Sequence, residues 1–259
     1  MRFFLGFHHP HQLAHARVPL FVSHRQLRRL RSLPRAADVW ALDSGGFTEL
    51  SEHGRWTISA TDYARAVARY RDEIGRLAWV APQDWMCEPW ILDRTGLTVE
   101  EHQRRTIDSV IELRALGVPA IPVLQGWEHA DYHRHVEAYE IAGFDLRAEP
   151  IVGLGSVCRR QAHADAADLV RGLAARGLKL HGFGFKSTGL RLCGDALASA
   201  DSLAWSYHAR REPPLPECVG KHSNCANCLR FALRWRAALL TRIGQTPGEQ
   251  RSLLDWRAA

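Results

Sequence analysis

The chain has 259 residues, with 34 lysines and arginines against 28 aspartates and glutamates, a formal net charge of +6, and lysine at three positions only (Lys179, Lys186 and Lys221). At 46% hydrophobic and 24% charged residues it holds enough apolar surface for a full core, which excludes a disordered chain and fits one large α/β domain or two small ones. No run approaches the roughly 18 to 20 uncharged apolar residues that cross a bilayer, and residues 3–7 are too short and poorly flanked for a signal peptide, so the expected address is cytoplasmic, with no membrane partner.

Short apolar runs suited to buried strands recur at residues 3–6, 19–22, 39–42, 79–81, 121–124, 151–154, 178–183 and 202–205. Helical patterns separate them. Ser59 and Asp62 precede an amphipathic run over 63–77, and Thr98 with Glu101 makes a capping-box pattern ahead of 102–116. Residues 130–142 and 162–176 also read as helical, the second stopped by Gly177. Eight strand–helix units of this spacing predict an α/β fold, a (β/α)8 TIM-like barrel. Three prolines within 210–216 mark the one shift in composition, and divide the chain into a barrel over 1–209 and a small zinc-binding subdomain with a C-terminal helix over 210–259.

In such a barrel the chemistry lies where strands end. Polar and glycine residues collect at those points: Asp43-Ser-Gly-Gly-Phe47, Gln83-Asp84-Trp85-Met-Cys-Glu88, Gln125-Gly-Trp127, Gly153-Leu-Gly155-Ser156 and Gly182-Phe-Gly-Phe-Lys186. An aspartate before Ser-Gly-Gly also reads as a plain Asx turn, and Asp201 in Ser199-Ala-Asp-Ser202 as a helix cap. Each Trp could equally pack the barrel rim.

Six cysteines in a chain of this size do not form a disulfide scaffold, and three of them cluster with a histidine as Cys218-x3-His222-x2-Cys225-x2-Cys228. Three sulfurs and one nitrogen give zinc a closed tetrahedral shell, which makes a structural site. A catalytic zinc deaminase is the rival reading of this cluster, and the sequence disfavours it. Its His-x-Glu match at His135–Glu137 falls within a predicted helix far upstream, and Asn224 stands before Cys225 where that chemistry has proline.

Taken in order, DSGGF at 43–47, PQDWMCEP at 82–89, PVLQGW at 122–127, IVGLGSVCRR at 151–160, HGFGFK at 181–186, SADSLAWS at 199–206 and the cysteine pattern at 218–228 resemble the tRNA-guanine transglycosylase superfamily. The resemblance is stronger to its deazapurine DNA-modification branch, the queuine tRNA-ribosyltransferase-like proteins of phages and bacterial genomic islands, and covers roughly residues 1 to 245. It implies that Asp43 is a general acid/base, that Asp84 and Gln125 bind the base edge, and that the turn of Gly153, Gly155 and Ser156 meets the purine oxygen. Asp201 becomes the nucleophile at C1′ of the sugar. Alignment on the upstream aspartate would instead put Ala204 in that slot.

Breaking an N-glycosidic bond makes an oxocarbenium-like sugar and an anionic base, so a carboxylate beneath C1′ and an acid near the base lower the barrier from both sides. A base reaches such a site only after leaving the stack, into walls that Phe47, Trp85 and Trp127 are placed to supply. Arg159, Arg160 and Lys186 are candidates for backbone phosphates, although solvated charge is their ordinary reading.

The expected function is therefore an enzyme that cleaves the glycosidic bond of a flipped-out DNA base and exchanges guanine for a free 7-deazaguanine. The alternatives are a DNA glycosylase leaving an abasic site, with a role in phage defence, a tRNA-guanine transglycosylase, and a barrel that only binds nucleic acid. The tRNA relatives commonly pair through their zinc regions, so a homodimer is among the assemblies that the resemblance implies.

Overall fold

A computed structural model of the chain describes residues 1–158, 160–161 and 163–245. Eight strands form its frame: β1 (Arg2–Phe7), β2 (Leu20–Ser23), β3 (Trp40–Asp43), β4 (Leu77–Val80), β5 (Val123–Leu124), β6 (Val152–Leu154), β7 (Leu180–Gly182) and β8 (Ser199–Ser202). They make one sheet in the order β4-β3-β2-β1-β8-β7-β6-β5, every ladder parallel. The sheet curls so that β4 approaches the segment ahead of β5. There the ladder is reduced to a single parallel bridge, Val80 to Ala120, with the Ile121 N–H donating to the Val80 carbonyl at 3.0 Å.

The helices are α1 (His24–Leu27), α2 (Gly46–His53), α3 (Ala60–Ile74), α4 (Pro89–Thr95), α5 (Val99–Ala115), α6 (His129–Ile141), α7 (Ala164–Ala175), α8 (Ser187–Cys193), α9 (Ala204–Ala209) and α10 (Leu229–Arg242). Their starts follow local chemistry. The Ser59 hydroxyl accepts from the Asp62 N–H at 3.1 Å to open α3, and the Thr98 hydroxyl from the Glu101 N–H at 3.2 Å to open α5. Gly75, with φ of 70°, ends α3 three residues earlier than the apolar pattern suggests.

The last strand differs from the sequence expectation: it spans Ser199–Ser202, not 202–205. Trp205 belongs to α9, and the small, polar run Ser-Ala-Asp-Ser is the strand because each buried polar side chain in it finds a partner. Ser199 meets His181 at 2.8 Å, Asp201 accepts from the Gly184 N–H at 2.9 Å, and Ser202 accepts from the Ala204 N–H at 3.3 Å.

Both faces of the sheet are covered, so strands alternate between two apolar layers. Phe3, Leu5, Leu20, Val22, Trp40, Leu42, Val152, Leu154, Leu180 and Ala200 pack outward with the helices in one continuous core. Phe4, Ala41, Trp79, Ala81, Ile121, Val123 and Ile151 fill the inside of the curl. Continuing the two-residue period to the strand ends places Ser23, Asp43, Gln125, Gly155 and Asp201 on that inner side.

The segment after α9 is tied to the same core. Cys218, Cys225, Phe231, Ala232, Leu239 and Leu240 are members of the outer cluster, and the Trp235 ring lies 6.2 Å from that of Phe3. No helix among the described residues is long and apolar enough to cross a membrane.

Trp205 is fully buried, its ring 4.8 Å from Phe7 and its indole N–H donating to the Gly6 carbonyl at 2.8 Å, so it fastens α9 over the C-terminal end of β1. Trp205→Ala is expected to cost about 3–5 kcal/mol, read as a lower urea midpoint, with Trp205→Phe losing less because it keeps most of the packing.

Candidate active site and metal centre

The inner residues at the strand ends open into a cavity of about 480 Å3, lined among others by Ser23, Arg25, Asp43, Phe47, Asp84, Glu88, Gln125, Gly155, Ser156, Phe183, Gly184 and Asp201. Seven of the sequence-predicted residues meet there: Asp43, Phe47, Asp84, Gln125, Gly155, Ser156 and Asp201. The size suits a small organic ligand.

Asp43 closes β3. Its carboxylate accepts from the Gly45 N–H at 3.0 Å, the bond of an Asx turn, and Gly45 adopts φ of 87°, a conformation open to glycine at little cost. Burial raises the Asp43 carboxyl above the ordinary range, the Gly45 and Ser23 hydrogen bonds pull it back, and the charge of Asp201 pushes it up again.

Asp84 lies beyond β4 and is pushed up to about 7, chiefly by burial and next by the Asp43 charge; its bond from Gln125 works the other way. The Gln125 amide N–H donates to Asp84 at 2.5 Å, and the Ser44 hydroxyl lies 3.5 Å from the other carboxylate oxygen.

Gln125 is itself fixed from three sides. Its backbone N–H donates to Nδ1 of His135 at 2.9 Å, its carbonyl accepts from Gln103 at 2.7 Å, and its side-chain oxygen faces the Ser156 hydroxyl at 2.8 Å. Gly155 makes room for that side chain: a Cβ there would stand 2.3 Å from the Gln125 amide nitrogen. Ser156, held at φ of 55°, also faces Glu88 at 2.9 Å and accepts from the Cys87 N–H at 2.8 Å.

Asp201 closes the ring from β8. It is 6% exposed, accepts from the Gly184 N–H at 2.9 Å, and lies 3.4 Å from Nε2 of His181. Four carboxylates from three strand ends, Asp43 from β3, Asp84 and Glu88 from the segment after β4, and Asp201 from β8, thus share one cavity with Arg25, whose guanidinium lies 3.6 Å from Glu49 and 3.7 Å from Glu52.

The other predicted residues sit outside this lining. Gly153 is buried beneath the cavity, where a Cβ would meet the Phe183 ring at 2.6 Å. Trp85 packs with Leu50 and Ile91 under the Arg105 guanidinium, 4.5 Å from its ring centre. Trp127 is covered by Arg160 at 4.6 Å, and Arg160 is further engaged by Asp165 at 2.6 Å. Lys186 is exposed, and Arg159 lies outside the described residues. The aromatic walls come from Phe7, Phe21, Phe47 and Phe183 instead. Glu88 and Phe183 were within reach of the sequence, since both lie inside the quoted motifs. Arg25 gave no signal among so many arginines.

Away from the cavity, Cys218, His222, Cys225 and Cys228 bring their donor atoms within 4.8 Å of one another. The Cys218 and Cys228 sulfurs are 3.9 Å apart, close to the roughly 3.8 Å edge of a tetrahedron with 2.3 Å zinc–sulfur bonds. His222 Nε2 lies 3.2 Å from the Cys225 sulfur, which also accepts from the Leu215 N–H at 3.4 Å. A metal ion such as zinc fits this donor set.

The raised Asp84 carboxyl makes stability depend on pH. Its ordinary value is 3.8 and its folded value about 7, so the contribution of the neutral group is present below about pH 4 and lost as pH rises through 7. Asp84→Asn removes that loss. The urea midpoint of the variant, relative to wild type, is expected to rise between pH 5 and pH 8; a constant difference would contradict the raised carboxyl.

Comparison with known proteins is informative at two levels. A solved structure titled as a fructose-1,6-biphosphate aldolase from Coccidioides immitis is similar over 95% of this chain and 90% of that one, with a TM-score of 0.50 and 8% identity, a likeness of fold alone. No curated protein matches the chain. The family model described as DpdA, DeoxyPurine in DNA protein A, matches residues 1–259, and the chain belongs to that family, the DNA deazapurine-modification branch of the queuine tRNA-guanine transglycosylase-like proteins.

Proposed function

We propose that the protein exchanges a guanine of DNA for a 7-deazaguanine within a closed (β/α)8 barrel, through a covalent link between Asp201 and the sugar. The observation that supports this most is the convergence of Asp43, Asp84 and Asp201 on one cavity, each held by a different set of donors. Carboxylates held by different neighbours are suited to different roles.

In this reading a nucleotide leaves the stack and its base lies among Phe47, Phe183 and the Asp84–Gln125 pair. An Asp201 oxygen attacks C1′ as the bond from C1′ to the base nitrogen breaks, and the bonding pair leaves with the base, which takes a proton from Asp43. The Asp43 carboxylate then removes the proton from the incoming deazaguanine, whose nitrogen displaces Asp201 from C1′. Entry of water at that point would give hydrolysis and an abasic site.

Incubation with duplex DNA and with tRNA, each with and without a free 7-deazaguanine, followed by mass spectrometry of nucleosides and abasic sites, tests the reading. Incorporation into DNA is expected. Abasic DNA without incorporation would mean a glycosylase, incorporation into tRNA alone a tRNA enzyme, and binding without base release a non-catalytic barrel. Asp43→Asn is expected to slow base release at least about 100-fold, and Asp201→Ala to abolish the covalent adduct.

The Cys3His cluster is proposed to hold a structural zinc that fixes the chain between α9 and α10 and takes no part in the chemistry. Elemental analysis is expected to give one zinc per chain. Cys225→Ser is expected to lose the metal and lower the melting temperature, and intact stability after complete metal removal would contradict the assignment.

A further inference from the structure

Among the described residues, His181 is the one histidine inside the curl of the sheet that lies beside a cavity carboxylate. It stands on β7, fully buried, with its ring centre 4.6 Å from Trp79, 4.8 Å from Phe183, 5.8 Å from Phe21 and 5.9 Å from Phe4. Nδ1 meets the Ser199 hydroxyl at 2.8 Å. Nε2 has no hydrogen-bond partner, and its near neighbour among the charged groups is Asp201, 3.4 Å away. An unsatisfied buried nitrogen costs free energy unless something offsets it, and the aromatic rings around it offer no strong acceptor.

The protonation of the ring follows from its neighbours. Asp201 is an acceptor, so Nε2 carries a proton whether the imidazole is neutral or charged. In the neutral ring Nδ1 is then an acceptor and Ser199 donates to it, which fixes the tautomer. The separation of 3.4 Å is longer than a made hydrogen bond, the usual condition of such pairs before substrate tightens them.

We propose that His181, oriented by Ser199, is the positioning residue of Asp201: its Nε2–H and the Gly184 N–H hold one carboxylate oxygen and so aim the other at C1′. The proposal rests on the reading of Asp201 as the nucleophile. Ser199 and Asp201 share the inner side of β8, two residues apart, and His181 pairs with Ser199 across the β7–β8 ladder. Serine, imidazole and carboxylate are thus set by strand register, without any flexible loop. Asp201 shares its cavity with three other acids, Asp43, Asp84 and Glu88, so its orientation depends on donors fixed by the backbone and the strands.

A packing role and a positioning role make opposite predictions for two substitutions. His181→Phe suits the aromatic surroundings but has no donor. His181→Gln suits them less, yet carries an amide N–H to the level of Nε2. The test is single-turnover exchange of labelled guanine into duplex DNA, with DNA affinity and melting temperature measured alongside.

The proposal expects His181→Phe to be slower than wild type by on the order of tenfold to 100-fold with affinity within about twofold, and His181→Gln to be the faster variant although it melts lower. Rates that follow the melting order, or that equal wild type, overturn it. If neither variant folds, Ser199→Ala decides: a slowed exchange step at unchanged affinity supports the proposal, and an unchanged step overturns it. An active wild type with indifferent variants overturns only this proposal, whereas a wild type that releases no base overturns the functional reading as well.

Discussion

Four acids in one cavity set the terms for everything around them. Each carboxylate that leaves water must be neutralised or given donors, and Arg25, which also faces Glu49 and Glu52, cannot serve all four. Donors come from elsewhere: Gly45 for Asp43, Gln125 and Ser44 for Asp84, Ser156 for Glu88, and Gly184 for Asp201. Each donor sits on a loop or strand other than, or just beyond, that of its acid. The strand ends therefore depend on one another, which is why the informative motifs are short and far apart in the chain.

Much of this was legible in the sequence because it follows from period and spacing. The two-residue alternation and its recurrence about every thirty residues are enough to expect eight parallel strands, and the cysteine spacing is enough to expect a cluster. What the sequence does not carry is which partner a polar residue will find. Asp201 in Ser-Ala-Asp-Ser reads equally as a helix cap, since nothing local announces that Gly184 and His181 will meet it. Trp85 and Trp127 read as cavity walls, yet each is covered by an arginine from another element, Arg105 and Arg160. Charge patterning shows these arginines but not their stacking.

The likeness to an aldolase at 8% identity makes a related point. A curled parallel sheet with covered faces is a general solution to burying strands, and membership of the DpdA family rests on the match over residues 1–259 and not on that fold. Between the two stands the glycine at 155, whose missing Cβ lets Gln125 lie against the strand. A single methyl group there would cost both the Gln125–Asp84 bond and the shape of the cavity, although it would leave the sheet itself intact.

The ladder between β1 and β8 has a consequence for how the chain folds. It joins Arg2 to Ser199 and Leu5 to Ser202, so the first strand to be made waits for the last before its second edge is paired. All six residues of β1 are buried in the finished molecule, and until β8 arrives an apolar edge that includes Phe3, Phe4 and Leu5 stays open. Contacts so distant along the chain make folding slow, and until β8 is in place the open β1 edge is available to pair with other chains.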